Sequence, residues 1–339
     1  MKKPKIAITL GDPSGIGPEI VVAALANPAV YEFCRPLVVG HPTVLRRAVH
    51  LLSSTARVVE IDAPEAVTAS REIISCLPAG NDDAAEAPLG RVDARSGQAA
   101  YDALVAAARL ALDHQVDAIT TAPLSKVALH LAGHKYPGHT ELLAELCGVP
   151  EVAMMLYLGP GGEVRGPAGL SIVHVTLHMA LANVFAALSP NAVLSKARLV
   201  SQFMQRLKGS QPRVGVCALN PHAGEDGLFG NEEATIIAPA IELGKREGLD
   251  LTGPLPADTL IRRARDGEFD AVVAMYHDQG HIAMKLLAMH RAVNVTLGLP
   301  IVRTSVAHGT AFDLVGQGRA ESVGMVEALR VAAKLVASG

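Results

Sequence analysis

Short runs of apolar, mostly β-branched residues alternate along the chain with longer stretches in which apolar residues recur every three or four positions. The runs predict strands over residues 5–10, 36–40, 57–61, 117–121, 153–158, 170–176, 213–218, 271–276 and 292–297. The three-and-four spacing predicts helices over residues 96–114 and 191–207, another over 232–247 with Asn231 as its N-cap, and a last one over 323–337. Strand and helix taking turns over the whole length predict an α/β fold with a largely parallel sheet. Parallel neighbours need crossover connections, and ligands then gather beyond the carboxyl ends of the strands. Residues 78–88, with Gly, Asn and paired Asp between two prolines, read as an exposed loop. The Gly/Pro-rich residues 159–169 read as a turn or hairpin tip.

Composition narrows the function. At 339 residues, half of them hydrophobic, the chain has material for two domains or one large one. The formal charge is −3 and only 3% of residues are aromatic. Nucleic-acid surfaces use clustered cations, and single-strand grooves add stacking rings, so no nucleic-acid partner is expected. Cys34, Cys76, Cys147 and Cys217 are scattered, which fits reduced thiols and not a disulfide frame. The apolar run behind Met1-Lys2-Lys3 ends at Gly11-Asp12-Pro13, too short for a signal peptide. No stretch approaches the ~18 uncharged apolar residues of a membrane helix. The expectation is a cytoplasmic protein without a membrane partner.

Four constellations carry candidate chemistry. Gly11-Asp12-Pro13-Ser14-Gly15-Ile16-Gly17-Pro18-Glu19 follows a strand and opens a helix. Glycines let a backbone approach a ligand and a helix N-terminus offers free N–H groups, although a tight strand-to-helix turn explains the same residues. His178, His222 and His277 each follow a predicted strand. Strand ends converge, and neutral imidazoles suit Zn²⁺ and similar metals; a lone His is more often a hydrogen-bonding residue. Lys285, Asn294 and Arg303, with His139 and Thr140 at the start of a helical pattern, form an anion-binding set; the plain alternative for each is ordinary surface polarity. Finally, His308-Gly309-Thr310-Ala311-Phe312-Asp313, followed by Gly316-Gln317-Gly318, is a turn able to bind adenosine, or simply a loop before the last helix.

Taken together these motifs resemble the 4-hydroxythreonine-4-phosphate dehydrogenase family, within the isocitrate/isopropylmalate dehydrogenase-like fold. The resemblance runs through residues 9–19, 121–126, 138–141, 220–225, 275–281 and 293–313. It implies two α/β/α domains with largely parallel sheets, residues 1–137 plus 293–339 in one and 138–292 in the other. It implies that His178, His222 and His277 bind a divalent metal (Zn, Mg, Co or Mn). It also implies that His139, Thr140, Lys285, Asn294 and Arg303 contact a small phosphorylated substrate. The loop at His308, Gly309, Thr310 and Asp313 resembles the adenosine loop of isopropylmalate dehydrogenases, where an Asp matching Asp313 goes with NAD. A homodimer with active sites built by both chains is implied as well. Ala307 stands where the family has Asp, and Leu177 where many members have Thr. Residues 318–325 and 130–138 look closer to a branch acting on 4-phosphorylated D-threonate and D-erythronate.

The expected reaction is oxidation of a C3 hydroxyl by NAD, followed by loss of CO₂ from the 3-keto acid, with Lys126 or a water on the metal as the two candidate bases. The alternatives are 4-hydroxy-L-threonine 4-phosphate as substrate, an unphosphorylated cyclic diol acid, and a metallohydrolase or acyl-phosphate-handling protein. Members of the resembling family that act on a cyclic diol acid lack residues matching Asn294 and Arg303, so the resemblance counts against that substrate; Asp313 counts against hydrolysis, which needs no dinucleotide.

Overall fold

A computed structural model describes residues 3–338. Its contacts divide the chain into two compact units. One takes the chain up to Val152 together with Leu299–Ala337, the other Ala153–Gly298. These boundaries differ from the expected breaks at 137/138 and 292/293. The helix His139–Leu146 stays with the first unit because Leu142 and Leu143 are buried in that unit's core beside Leu104 and Ile119. Residues 293–297 go with the second unit because they pair antiparallel with residues 153–157.

The first unit holds strands β1 (Lys5–Thr9), β2 (Arg35–Gly40), β3 (Arg57–Glu60), β4 (Ile73–Pro78), β5 (Ala118–Thr121) and β12 (Val302–Val306). Their order is β3-β4-β2-β1-β5-β12, with every neighbouring pair parallel. Period-two alternation sends Ile6 and Ile8 into one core cluster, where Ile20 and Leu329 come from the helices Gly17–Leu25 and Val323–Ala337. Ala7 faces the other cluster, against Leu104 and Ala107 of the helix Ala94–Leu112. A sheet buried on both faces explains why its strands read as continuous apolar runs. β1 has β2 on one side and β5 on the other, so the strand order reverses there. That reversal is where open α/β sheets bind ligands.

The second unit holds β6 (Ala153–Leu158), β7 (Leu170–His174), β8 (Val214–Cys217), β9 (Leu251–Leu255), β10 (Ala271–Ala274) and β11 (Val293–Leu297), in the order β11-β6-β7-β10-β8-β9. β11–β6 and β6–β7 are antiparallel, and the remaining pairs are parallel. Residues 159–169 form the tip of the β6–β7 hairpin, as the Gly/Pro content predicts.

β4, β9 and β12 were not anticipated. Each interrupts its apolar run: β4 with Ser75 and a terminal Pro78, β9 with Gly253-Pro254, and β12 with Arg303, Thr304 and Ser305, all three buried. Beyond β4 the expected loop over 78–88 holds a 3₁₀ turn, Asp82–Glu86, pinned by buried Ala84. The helix expected over 232–247 begins as a π-helical turn, Glu233–Ile237, before Ala238–Arg246 becomes α-helical. Among the described residues no helix is long and apolar enough to cross a membrane.

Candidate active site

In the first unit the candidate polar side chains come from β12 itself and from the segments beyond the carboxyl ends of β1, β5 and β12. Arg303, on β12, is only 2% exposed, and its Nη2 donates to Oγ1 of Thr121 at the end of β5 at 2.6 Å. Burial pushes the Arg303 guanidinium down to about 9, opposed by the carboxylate of Glu141, so it remains a cation at neutral pH. Thr121 and Glu141 belong to motifs the sequence singled out, but their ties to Arg303 needed the fold. His139 opens the helix His139–Leu146, as the sequence predicts. Burial holds its imidazole well below the ordinary range. The charge of Arg303 acts the same way, the backbone at Ala122 opposes, and Lys126 lowers it further. His139 is therefore a neutral donor or acceptor beside a fixed cation, an arrangement suited to an anionic ligand. Lys126 starts the helix Lys126–Leu131 behind the N-cap Ser125 and is exposed. Its Cε is 3.6 Å from where a Cβ on Gly138 would stand.

The N-terminal loop packs at the strand-order reversal. Asp12 N–H donates to Pro123 O at 2.9 Å, and a Cβ on Gly11 would stand 2.2 Å from that same oxygen. Gly11 has φ +68°, so both close approach and backbone conformation demand glycine. Asp12 is fully buried. Burial pushes its carboxyl up to about 6, against hydrogen bonds from Ser14 N–H, Ser96 and the Ser125 backbone. The loop abuts the 308–313 segment through Ile16 N–H to Thr310 O, 3.0 Å. In that segment Asp313 is exposed and a Cβ on Gly309 would meet nothing within 4 Å. An open backbone with an exposed carboxylate fits a ribose diol. His308 Nδ1 lies 3.1 Å from Gly309 O.

His130 and His134, in a segment whose sequence pointed to one substrate branch, have other work. His130 Nε2 is 2.9 Å from Tyr136 O. His134 stacks on Tyr101 at 3.6 Å, with its Nε2 2.9 Å from Gln98 Oε1. They brace a loop.

In the second unit His178 lies four residues past β7, and His277 is the first residue of the helix His277–Ala288. Their ring centres are 5.9 Å apart. Two imidazoles sharing one zinc, with Zn–N about 2.0–2.1 Å, set their centres roughly 5–6 Å apart. His277 Nδ1 is 2.6 Å from Asp278 Oδ1, a carboxylate–imidazole pair that leaves Nε2 for a metal. Both histidines line a cavity of about 550 Å³ with Tyr276, Leu181 and Val184. The pair supplies two of the donors that a borderline divalent cation takes.

His222 sits apart, in an unusual turn. His222, Ala223, Gly224, Glu225 and Asp226 all have φ between 45° and 83°. A run of left-handed L-residues costs roughly 1–2 kcal/mol each. The adjoining backbone is held by Glu233, whose Oε1 accepts from Leu219 N–H (2.8 Å) and Asn220 N–H (2.7 Å). Against a burial that would raise it, these bonds and that of the Asn220 amide hold the Glu233 carboxyl below its usual range. Among the described residues, no group of three His, Cys, Asp or Glu side chains surrounds one point closely enough to hold an ion. The structure therefore pairs His178 with His277 and does not gather the three expected ligands.

Two buried histidines were missed by the sequence reading. His281 stacks on His277 at 3.8 Å, and its Nδ1 is 3.1 Å from Nε2 of His174. Burial and the neighbouring imidazoles hold His174 down to about 3; burial, His277 and Lys285 hold His281 down to about 4. The i, i+4 spacing of His277 and His281 on a helix was the available signal. Lys285 is exposed on the same helix, and Thr140 is half-buried beside His139. Asn294 lies on β11, as expected, with Oδ1 buried and lacking a hydrogen-bond partner, which suits a ligand-facing amide.

Comparison with known proteins gives a consistent picture. The family model described as pyridoxal phosphate biosynthetic protein PdxA matches residues 32–332. A D-threonate 4-phosphate dehydrogenase of Cupriavidus necator is 46% identical over 98% of this chain and 97% of its own length. A 4-hydroxythreonine-4-phosphate dehydrogenase of Geobacter metallireducens is 47% identical over 98% and 96%. The crystal structure of a 4-hydroxythreonine-4-phosphate dehydrogenase from Klebsiella pneumoniae superposes with a TM-score of 0.87 at 40% identity, covering 98% of this chain and 100% of that one. A remoter likeness, to isocitrate dehydrogenase from Methylococcus capsulatus (TM-score 0.50, 15% identity, 95% of this chain and 83% of that one), shows the fold alone.

Proposed function

The chain belongs to the family of the pyridoxal phosphate biosynthetic protein PdxA, a family of dehydrogenases, and on that footing we propose an NAD-dependent, divalent-metal-dependent oxidation of the C3 hydroxyl of a 4-phosphorylated four-carbon hydroxy acid. The 3-keto acid then loses CO₂. The favoured substrates are 4-phospho-D-threonate and 4-phospho-D-erythronate, giving dihydroxyacetone phosphate. The observation that carries this reading is the buried Arg303 cation, fixed by Thr121 beside a neutral His139. A guanidinium held in place at this depth keeps its charge, with Glu141 opposing the effect of burial, and its planar fork matches a carboxylate or phosphate.

His139, Thr140 and Arg303 of the first unit are assigned to the substrate. Phosphate recognition far from C3 supplies binding energy that orients the reacting carbon. His178 and His277 are assigned to the metal. A bound divalent cation supplies Lewis acidity to the C3 hydroxyl. The His308, Gly309, Thr310 and Asp313 loop would hold NAD, which would supply the hydride acceptor for the C3 carbon. Lys126 is the protein's own candidate base.

The site is proposed to be completed by a second copy of the chain. Leu181 (62% exposed) lines the His178 cavity, Phe185 (52%) follows on the same helix, and Leu286 (83%) lies on the His277 helix. Apolar exposure of that kind marks an interaction surface.

The two named activities among relatives differ at C2, an amine in one substrate and a hydroxyl in the other. A hydrogen bond there is worth about 1 kcal/mol, close to a decade in rate. Steady-state NADH formation with 4-phospho-D-threonate, 4-phospho-D-erythronate and 4-hydroxy-L-threonine 4-phosphate, side by side, tests the proposal. A tenfold higher kcat/KM for the amino acid would transfer the chain to the other substrate. No NADH from any of them would remove the phosphorylated-acid reading.

A further inference from the structure

The reading of residues 308–313 as a cofactor loop leaves the first motif, residues 11–19, without a role. We propose that Glu19 is a positioning residue for that loop: it holds the segment carrying Asp313 in its binding shape from the opposite end of the sequence. The proposal rests on the cofactor reading above.

Glu19 lies in the first turn of the helix Gly17–Leu25 and is only 4% exposed. Its Oε1 accepts the N–H of Gly316 at 2.8 Å, three residues past Asp313. The other end of the segment is tied by Ile16 N–H to Thr310 O at 3.0 Å. Thus residues 310 and 316 are both fastened to the N-terminal loop. Just past Gly316, Gln317 Nε2 donates back to Asp313 O at 2.6 Å. Gly90 donates to Ser14 O at 2.8 Å, and a Cβ on Gly90 would stand 3.0 Å from Phe312 O. Gly15 is constrained in the same way: its Cβ would stand 3.0 Å from the Thr310 side chain and carbonyl.

The fastening has something to resist. Ala311 has φ +42°, a conformation an L-residue keeps only when its surroundings enforce it. Gly309, Gly316 and Gly318 give the released segment many other shapes. The second oxygen of Glu19 is buried without a hydrogen-bond partner. A carboxylate used only for packing would be a poor choice there; one needed to reach a distant N–H is not. Apparent affinity scales with the fraction of molecules already in the competent shape, so releasing the loop weakens NAD without touching the substrate groups.

The test is the Kd for NAD by calorimetry on the purified full-length protein and on Glu19→Ala, Glu19→Asp, Glu19→Gln and Asp313→Ala, with KM for the phosphorylated acid and amide hydrogen exchange over 310–318. Glu19→Ala and Glu19→Asp should weaken NAD about tenfold or more, ~1.4 kcal/mol, and speed exchange at Gly316. Glu19→Gln, which still accepts from Gly316, should stay within about threefold of the parent, and KM for the acid should not move. Glu19→Asp keeps the charge and recedes by one methylene, so it decides the matter if the alanine variant does not fold. Unchanged NAD affinity in the Glu19 variants, with Asp313→Ala weakened, overturns the positioning role alone. Unchanged affinity in Asp313→Ala as well overturns the cofactor loop and this proposal with it.

Discussion

Arg303 on β12 and Thr121 at the end of β5 meet across a parallel strand pair, guanidinium to hydroxyl at 2.6 Å, inside the first unit. The contact aims one of the largest buried side chains at the edge where ligands gather. Arg303→Ala should lower kcat/KM for a phosphorylated substrate by roughly 30-fold or more, taking about 2–5 kcal/mol for one partner of a dry anion contact and ~1.4 kcal/mol per decade. The loss should be much smaller for an unphosphorylated analogue. Equal losses with both would contradict anion recognition by this residue.

His277 donates or accepts nothing essential to the core, being about one-third exposed at a helix start. His277→Ala should therefore melt within a few degrees of the parent while losing bound metal, measured by atomic emission after dialysis. Prolonged chelation of the parent should abolish NADH formation, and Zn²⁺, Co²⁺, Mn²⁺ or Mg²⁺ should restore it. Full activity in a verified metal-free sample would end the metal assignment.

Asp313 is exposed on a loop with open space at Gly309. A 2′-phosphate would meet its carboxylate, so NAD should be preferred over NADP, and Asp313→Ala should narrow the ratio of the two kcat/KM values. An unmutated protein indifferent to the two cofactors would contradict the assignment.

Asp12 gives a pH signature of stability. Its folded pKa of about 6 lies above the ordinary 3.8 because burial penalises the charged form. Native protein thus binds the proton more tightly than unfolded chain, and stability falls as pH rises between about 4 and 6, then levels. Asp12→Asn, which still accepts from Ser14 N–H, should melt higher than the parent above pH 6, by on the order of 2–3 kcal/mol at most. The advantage should vanish near pH 4. A constant difference across that range would show that desolvation of Asp12 is not the cause.

Much of this was legible in the residues, for physical reasons that also mark the limit. β1, β5, β6 and β10 are buried along almost their whole length, so they stand out as apolar runs, and the helices 190–208 and 323–337 fall within one residue of their periodic patterns. β12 escaped because its job is polar: Arg303, Thr304 and Ser305 are buried yet hydrogen-bonded, a pattern that hydropathy reads as surface. The motif histidines were visible, but not the left-handed turn that carries His222, since His-Ala-Gly-Glu-Asp contains only one glycine for five positive-φ positions. His174 was invisible because it acts on a partner 107 positions away, and Glu19, though part of a visible motif, gave no sign of its bond to Gly316, 297 positions away.

The first unit is assembled from both ends of the chain, and this orders its birth. During synthesis β5 emerges with one flank bare, and Ile6, Ile8 and Ile20 lack Met325, Leu329 and Ala332, the residues that close their core. At roughly 5–20 residues per second, about 10–40 s pass between the synthesis of Val152 and that of Ala337. The second unit, continuous from Ala153 to Gly298, has its whole sequence available before then. The unit that is begun first is therefore the one whose sequence is completed last, and a nascent chain stalled short of residue 323 lacks the residues that cover Ile6, Ile8 and Ile20.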